Sequence, residues 1–286
     1  MNTVTGARPA QLAGQWYPAD SQRLADEVDR YISAAEVGAL DSEVVAIMAP
    51  HAGYMYSGGV AGYAFSAIQE LLPQLVVVIS PMHQPHHAKV MTSAHTAYTT
   101  PLGEISVNRD TINCLSSILK DDFGVELGEV AYDPEHSLEI ELPFLQRALK
   151  QSFQLLPLML RDQSAVMASN LANAVTQTLS QTGFSKQGAT LLVASTDLSH
   201  FYSQPRANLL DMELLKQVEA FYPEGVIRVD EQGKGYACGR GALAAVMWIA
   251  KALGASKAKI LKYSTSGDAS GEYDRVVGYA AAVFLR

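Results

Sequence analysis

Three apolar runs of this chain end on imidazoles. VVAIMAPH delivers His51, LVVVISPMH delivers His83, and LLVASTDLSH delivers Asp197 and His200. Neutral imidazole is the commonest side-chain metal ligand and the only side chain that titrates near neutrality unaided. The set therefore points to metal binding or acid–base chemistry. One histidine after a strand is ordinarily a loop residue bonded to backbone. Three strand ends that each carry one read as a convergent site.

Two further segments carry reactive groups. DPEHSLEIELPFL (Asp133–Leu145) adds His136, Glu139 and Glu141. Either its glutamates form the acid-rich first turn of a helix, which the macrodipole favours, or His136 and Glu139 lie one turn apart and face the same crevice. GYACGRGALAAVMWIAKAL places Cys238 at the start of an amphipathic helix beside Arg240. A thiol at a helix N-terminus next to a guanidinium is expected to have a lowered pKa, which suits a metal ligand or a reactive thiolate. Cys114, in TINCLSSIL, has the spacing of a core residue. His86 and His87 in HQPHHAK, and His95, have no strand-end context and are left out of the site. SGGVAG after Tyr56 matches neither the dinucleotide fingerprint nor the phosphate loop, and close packing of a helix on a strand explains its glycines.

The elements that must position these groups alternate. Val44–Ala49, Leu75–Ser80, Gln154–Leu158 and Thr190–Ser195 read as strands, and Ala258–Tyr263 with Val276–Phe284 closes the chain. The first four are nearly continuous in apolar residues, as expected for strands covered by helices on both faces. Helical periodicity marks Ser21–Ala35, Gly59–Leu72, Arg109–Lys120, Leu138–Gln151, Gln163–Thr182 and Cys238–Leu253, with Pro143 near a first turn. Ala97–Asn108 reads as two extended pieces joined at TPLG, a hairpin beside the sheet. This alternation is that of an α/β fold, and no linker or repeat divides it, so one domain over residues 1–286 is expected. In open α/β sheets ligands gather outside the carboxyl ends of the strands.

Composition narrows the partners. The chain has 286 residues, 48% of them hydrophobic, and a net charge of −8, so neither nucleic acid nor an anionic membrane is an expected partner. Two cysteines cannot build a disulfide framework, the N-terminal stretch lacks a signal-peptide core, and the longest apolar run is too short to span a bilayer. A cytoplasmic protein is expected.

The motifs GQWYP, APHAGYMYSG, SPMHQ, TPLGEISV, EHSLEIELPFL, STDLSHF, CGRGA and VVGYAA, in this order from about Arg8 to the C-terminus, resemble the Memo family. That family is similar in fold to the LigB-like extradiol dioxygenases. The resemblance implies a three-layer α/β/α sandwich around a mixed, largely parallel sheet. It also implies a metal, iron or copper, on His51, His83 and Cys238, with Asp197, His200 and Trp16 as further pocket residues. His136, Glu139 and Tyr54 complete the expected surroundings. The animal member is linked to motility signalling, phosphotyrosine-peptide binding and copper or iron redox chemistry. Many bacterial members are thought to work beside a radical-SAM protein and an AMMECR-type protein. The related dioxygenases hold iron with two histidines and a carboxylate, and in this pattern Cys238 stands where the carboxylate would be. Glu141 stands where some relatives carry another histidine.

Three functions follow as expectations. The first is a metal-binding redox protein of unknown substrate, with His200 as acid/base and Asp197 as its orienting partner. The second is a non-catalytic module that holds a peptide or protein, with Trp16 and the tyrosines of GYMY making contacts. A ring-cleaving dioxygenase ranks third, because thiolate is softer than carboxylate and favours copper(I) or zinc as well as iron.

Overall fold

A computed structural model of the chain describes residues 4–286. In chain order, β1 (Val4–Arg8) and α1 (Ser21–Ala34) precede β2 (Val44–Ala49) and α2 (Tyr54–Ser66). Next come β3 (Leu75–Pro81), β4 (Val90–Ser93) and the hairpin of β5 (His95–Thr100) and β6 (Gly103–Ser106). Then follow α3 (Arg109–Phe123), β7 (Leu127–Val130), a single 3-10 turn (Glu139–Glu141) and α4 (Leu142–Ala148). The second half runs β8 (Gln154–Leu160), α5 (Ala165–Gln181), β9 (Thr190–Ser195), β10 (His200–Tyr202), α6 (Gln204–Glu219) and α7 (Pro223–Glu231). It ends with α8 (Arg240–Ala252), β11 (Lys257–Thr265), α9 (Ser266–Ser270) and β12 (Val276–Leu285).

Nine strands form one mixed sheet in the order β10-β12-β2-β9-β3-β8-β4-β7, with β11 paired to β12. Its centre, β2-β9-β3-β8, is parallel, and the pairs β12–β2 and β4–β8 on either side are antiparallel. β2 and β3 are buried along their whole length, which is why their sequences do not alternate. Helices α1, α2 and α4 pack together on one side, while α3, α5, α7 and α8 form a second group in which α8 lies on the parallel strands. The architecture is the expected α/β sandwich. The hairpin at TPLG joins β1 in a separate three-stranded sheet rather than the main one.

Local chemistry sets the helix ends. Asp20, Asn108 and Ser164 cap α1, α3 and α5, each accepting the backbone N–H three residues on. Helix α2 starts at Tyr54, earlier than its apolar spacing suggested. Its Gly58 and Gly62 leave room for Tyr31 of α1, so those glycines serve helix-on-helix packing. The segment read as one helix from Leu138 is instead the 3-10 turn followed by α4, with Pro143 in the first turn. No helix among the described residues is long and apolar enough to cross a membrane.

Candidate metal centre

Because β2, β9, β3 and β8 are adjacent and parallel, their carboxyl ends share one edge. His51 follows β2 by two residues, His83 follows β3 by two, and Asp197 follows β9 by two. A fourth segment, Asp133–Ser137, has no ladder of its own and is stitched onto this edge by Ser137. The Ser137 hydroxyl donates to the Pro81 carbonyl (2.8 Å), and the Ser195 hydroxyl donates to the Ser137 carbonyl (2.5 Å). That crossing delivers His136.

His51, His83 and His136 each offer a ring nitrogen within 4.8 Å of the others. Their ring centroids are 5.5 Å (His51–His83), 5.4 Å (His51–His136) and 4.6 Å (His83–His136) apart. Hydrogen bonding assigns two tautomers. Ser195 has one hydroxyl proton, already given to Ser137, so His51 Nδ1 at 2.8 Å must donate to Ser195 Oγ and leave Nε2 unprotonated, with the Cys238 sulfur beside it. His83 Nδ1 donates to Glu135 Oε1 (2.9 Å) and likewise leaves Nε2 unoccupied. His136 Nδ1 lies 3.4 Å from the same carboxylate. Burial lowers the pKa of His51 well below its usual value, helped by its two imidazole neighbours. Burial also takes His136 down to about 4, against the pull of Glu135. Both are therefore neutral at pH 7, the form in which imidazole binds a cation.

Glu135 organises the His83 side and was not picked out from the sequence. Its only signal there is an acid directly before His136. The residue is 1% exposed and accepts from His83 N (2.6 Å), His83 Nδ1, His136 N (3.0 Å) and Ser137 N (3.0 Å). Burial pushes its pKa up, but the His83 and Ser137 bonds together with His136 outweigh that and hold it well below the usual carboxylate range.

The His51 side is different. Asp197 is buried, its Oδ1 accepts from His51 N (2.8 Å), and its Oδ2 lies 3.9 Å from His51 Nε2. Burial raises its pKa to about 7 despite that bond. Cys238 Sγ lies 3.2 Å from His51 Nε2 and accepts from Asp197 N at 3.3 Å. Gly239 allows this approach, because a Cβ there would meet the Ser195 carbonyl at 2.7 Å. Glu141 is fully buried, its Oε1 lacks a partner, and burial pushes its pKa well above the carboxylate range.

Several expectations need correction. The Cys238 thiol is not acidified: burial and then Asp197 push it up. Arg240 turns away to Asp230 (3.2 Å), and Gln163 accepts from Gly241 N at the start of α8, so neither guanidinium nor helix end serves the sulfur. Asp197 does not orient His200, whose Nδ1 donates to its own loop at Leu198 O (2.8 Å). His200 keeps Nε2 unoccupied, and its pKa is lowered by burial. Glu139 does not face the imidazoles; it accepts from Arg8, Gln11 N, Leu12 N and Tyr17. Tyr54 is buried with its hydroxyl on Ile140 O (2.9 Å), within an aromatic cluster of Tyr17, Tyr31 and Phe144. Trp16, 36% exposed, does stand against the site, its ring 4.6 Å from that of His136. The three nitrogens that converge include His136, read as a pocket residue, whereas Cys238 adjoins the set through His51 alone. His83 and Cys238 also border an open cleft of about 450 Å³ with Arg161, Gln163, Tyr236 and Arg240.

The comparisons with known proteins agree with the motifs. The family model for Memo-like protein matches residues 8–283. A MEMO1 family protein of Nitrosopumilus maritimus is 33% identical over 282 residues, covering 97% of this chain and 99% of the relative. MEMO1 family proteins of Methanopyrus kandleri and Methanosarcina mazei are 32% and 33% identical, each covering at least 96% of this chain and 98% of the relative. With a match over almost its whole length and relatives aligned end to end, the chain belongs to the Memo-like protein family.

Proposed function

We propose that this protein is a metal-dependent redox protein whose iron or copper ion is held by His51, His83 and His136, with Cys238 as an adjoining soft donor. The observation that carries the reading is the convergence of three ring nitrogens while His51 and His83 have their other nitrogen fixed by Ser195 and Glu135. Such partners fix tautomer and ring orientation, as around metal-ligating histidines generally. The donor chemistry fits: neutral imidazoles suit copper, iron and zinc, and a neighbouring sulfur shifts preference toward copper(I). An ion of this kind would supply one-electron chemistry at the strand edge. Around it, His200 has a free Nε2 to take or give a proton, and Asp197, near pH 7 in its titration, is a second proton carrier. The dioxygenase alternative remains third, since Glu135 is engaged by four donors rather than open to a cation, and burial raises the pKa of the second nearby carboxylate, Asp197, to about 7.

A second reading has its own support. The neighbourhood of the site is aromatic and exposed: Trp16 lies on His136, and Phe201, 62% exposed, and Tyr236 flank the His200 ring. That surface suits a peptide ligand bound without chemistry. Work beside a radical-SAM protein and an AMMECR-type protein is part of the same proposal and rests on family membership alone. Elemental analysis of untagged protein separates the readings. Near-stoichiometric iron or copper that is lost in His51→Ala supports the redox site; metal-free protein that binds peptide equally well in both forms supports the module.

A further inference from the structure

The two segments that meet at His136 have no backbone ladder to fix them against each other. One is the irregular stretch Asp133–His136; the other is the turn-rich loop Gln11–Tyr17 that presents Trp16. Between them sits a buried charge pair. Arg8 is 1% exposed; its Nε and Nη2 donate to the two Asp133 carboxylate oxygens at 3.1 Å each. Nη2 also donates to Asp133 O (2.8 Å) and Glu135 O (3.0 Å), so the guanidinium grips the His136 segment through four hydrogen bonds. Its Nη1 donates to Glu139 Oε2 (2.5 Å). Glu139 then holds the other segment: Oε1 accepts from Leu12 N (2.8 Å) and the Tyr17 hydroxyl (2.7 Å), and Oε2 from Gln11 N (3.1 Å). The planar fork of arginine is what lets one side chain do this, because lysine offers a single point charge.

We infer that Arg8 and Glu139 are positioning residues of the metal centre, clamping the Trp16 loop and the His136 segment together so that the His136 ring is held where the other two imidazoles converge. The inference rests on the metal reading for its consequence but not for the clamp itself. Loss of the clamp frees Trp16 from the His136 ring and loosens the segment that carries His136 and the His83 partner Glu135, while His51 keeps its own partner, Ser195. A role confined to stability would leave the ligand geometry of folded protein unchanged.

The test uses full-length protein carrying Trp248→Phe, so that Trp16 is the sole tryptophan reporter. Glu139→Gln removes the charge. Tyr17→Phe removes one hydrogen bond to Glu139 and keeps the ring, so it reports even if the first variant does not fold. In metal-free protein, acrylamide quenching of Trp16 fluorescence is expected to rise in both variants. With cobalt(II) as the probe, affinity is expected to fall about tenfold in Glu139→Gln, as for other loss of ligand support, with an altered d–d band. Tyr17→Phe should shift both readouts in the same direction and less. Unchanged quenching in folded variants overturns the clamp, and unchanged cobalt(II) affinity and band overturn its role at the centre. If the parent protein takes up no cobalt(II), it is the metal reading that fails, and the Trp16 quenching still decides the clamp.

Discussion

Glu135 and Asp197 both touch the same imidazole set, and the fold keeps them in opposite states. Both are buried, so desolvation pushes both pKa values up. Glu135 answers with three backbone N–H groups and a ring N–H, and stays ionised. Asp197 has the His51 N–H and a facing Ala52 N–H, and burial wins. Two residues apart in the sequence, Glu139 accepts from the Arg8 guanidinium, whereas Glu141 has an oxygen with no partner and burial pushes its pKa well above the carboxylate range. Donor count, not burial, decides which acids carry charge here. One side of the site is thus a fixed negative scaffold under His83 and His136. The other, with Asp197, Glu141 and the Cys238 thiol, carries protons that an arriving cation would displace.

The largest effect that sharpens this contrast is on stability against pH. Between about pH 4 and pH 7 the folded state holds a proton on Asp197 that the unfolded chain has lost. Stability therefore falls as pH rises through that window, by at most about 1.4 kcal/mol per pH unit, and levels off above it. His51 and His136 act oppositely: their lowered pKa values make stability rise with pH up to the ordinary histidine value of 6.5, from about 4 in the case of His136. The wild-type profile is therefore partly cancelled, and the difference curve is the informative one. Metal-free Asp197→Asn, measured by urea unfolding at a series of pH values, should gain on the wild type steadily from pH 4 to 7. Parallel profiles would mean that Asp197 is ionised and the contrast is wrong.

Next in size is the charged side. Glu135→Gln should weaken metal binding about 10- to 100-fold, because the negative charge is lost and one of two accepting oxygens becomes an NH2 that faces N–H donors of His83 or of the His136 segment. Chelator competition measures it, and wild-type affinity would show that the scaffold is not electrostatic. Cys238→Ala should follow, lowering copper(I) affinity more than iron(II) affinity, since a soft donor beside His51 is removed while the three imidazoles remain. An equal loss for both ions would deny the sulfur any selective part. Smallest is Cys114→Ala. This partly buried thiol on α3 makes one 3.5 Å contact to Gln181, and its removal should shift stability by less than about 0.5 kcal/mol and leave metal binding alone.

What could be read from the sequence followed from regularity. Continuous apolar runs bounded by proline and histidine made β2 and β3 and their histidines legible, and the fold class with them. The helix α6 carries a stripe at Leu210, Leu214 and Val218 that is readable at helical spacing, whereas the short α7 buries mostly adjacent residues, Gly225, Val226 and Ile227, and shows none. The irregular segment 133–137 was illegible for a different reason: it is held by Arg8, Ser137 and Glu135, contacts between residues far apart in the chain. The sequence pattern therefore puts His136 beside the site rather than in its converging set and carries no signal for Glu135. For Cys238 and Asp197, neighbours in the sequence are not partners in space. Arg240 pairs with Asp230, and His200 bonds its own backbone.

The central claim is that three imidazoles form one metal site. The most direct test is metal content together with cobalt(II) titration of untagged wild type, His51→Ala, His83→Ala and His136→Ala. The account predicts one ion per wild-type chain and a severe loss of binding in each single variant, His136→Ala included. Binding in His136→Ala that matches the wild type, or a wild-type chain that takes up no ion at all, would contradict it.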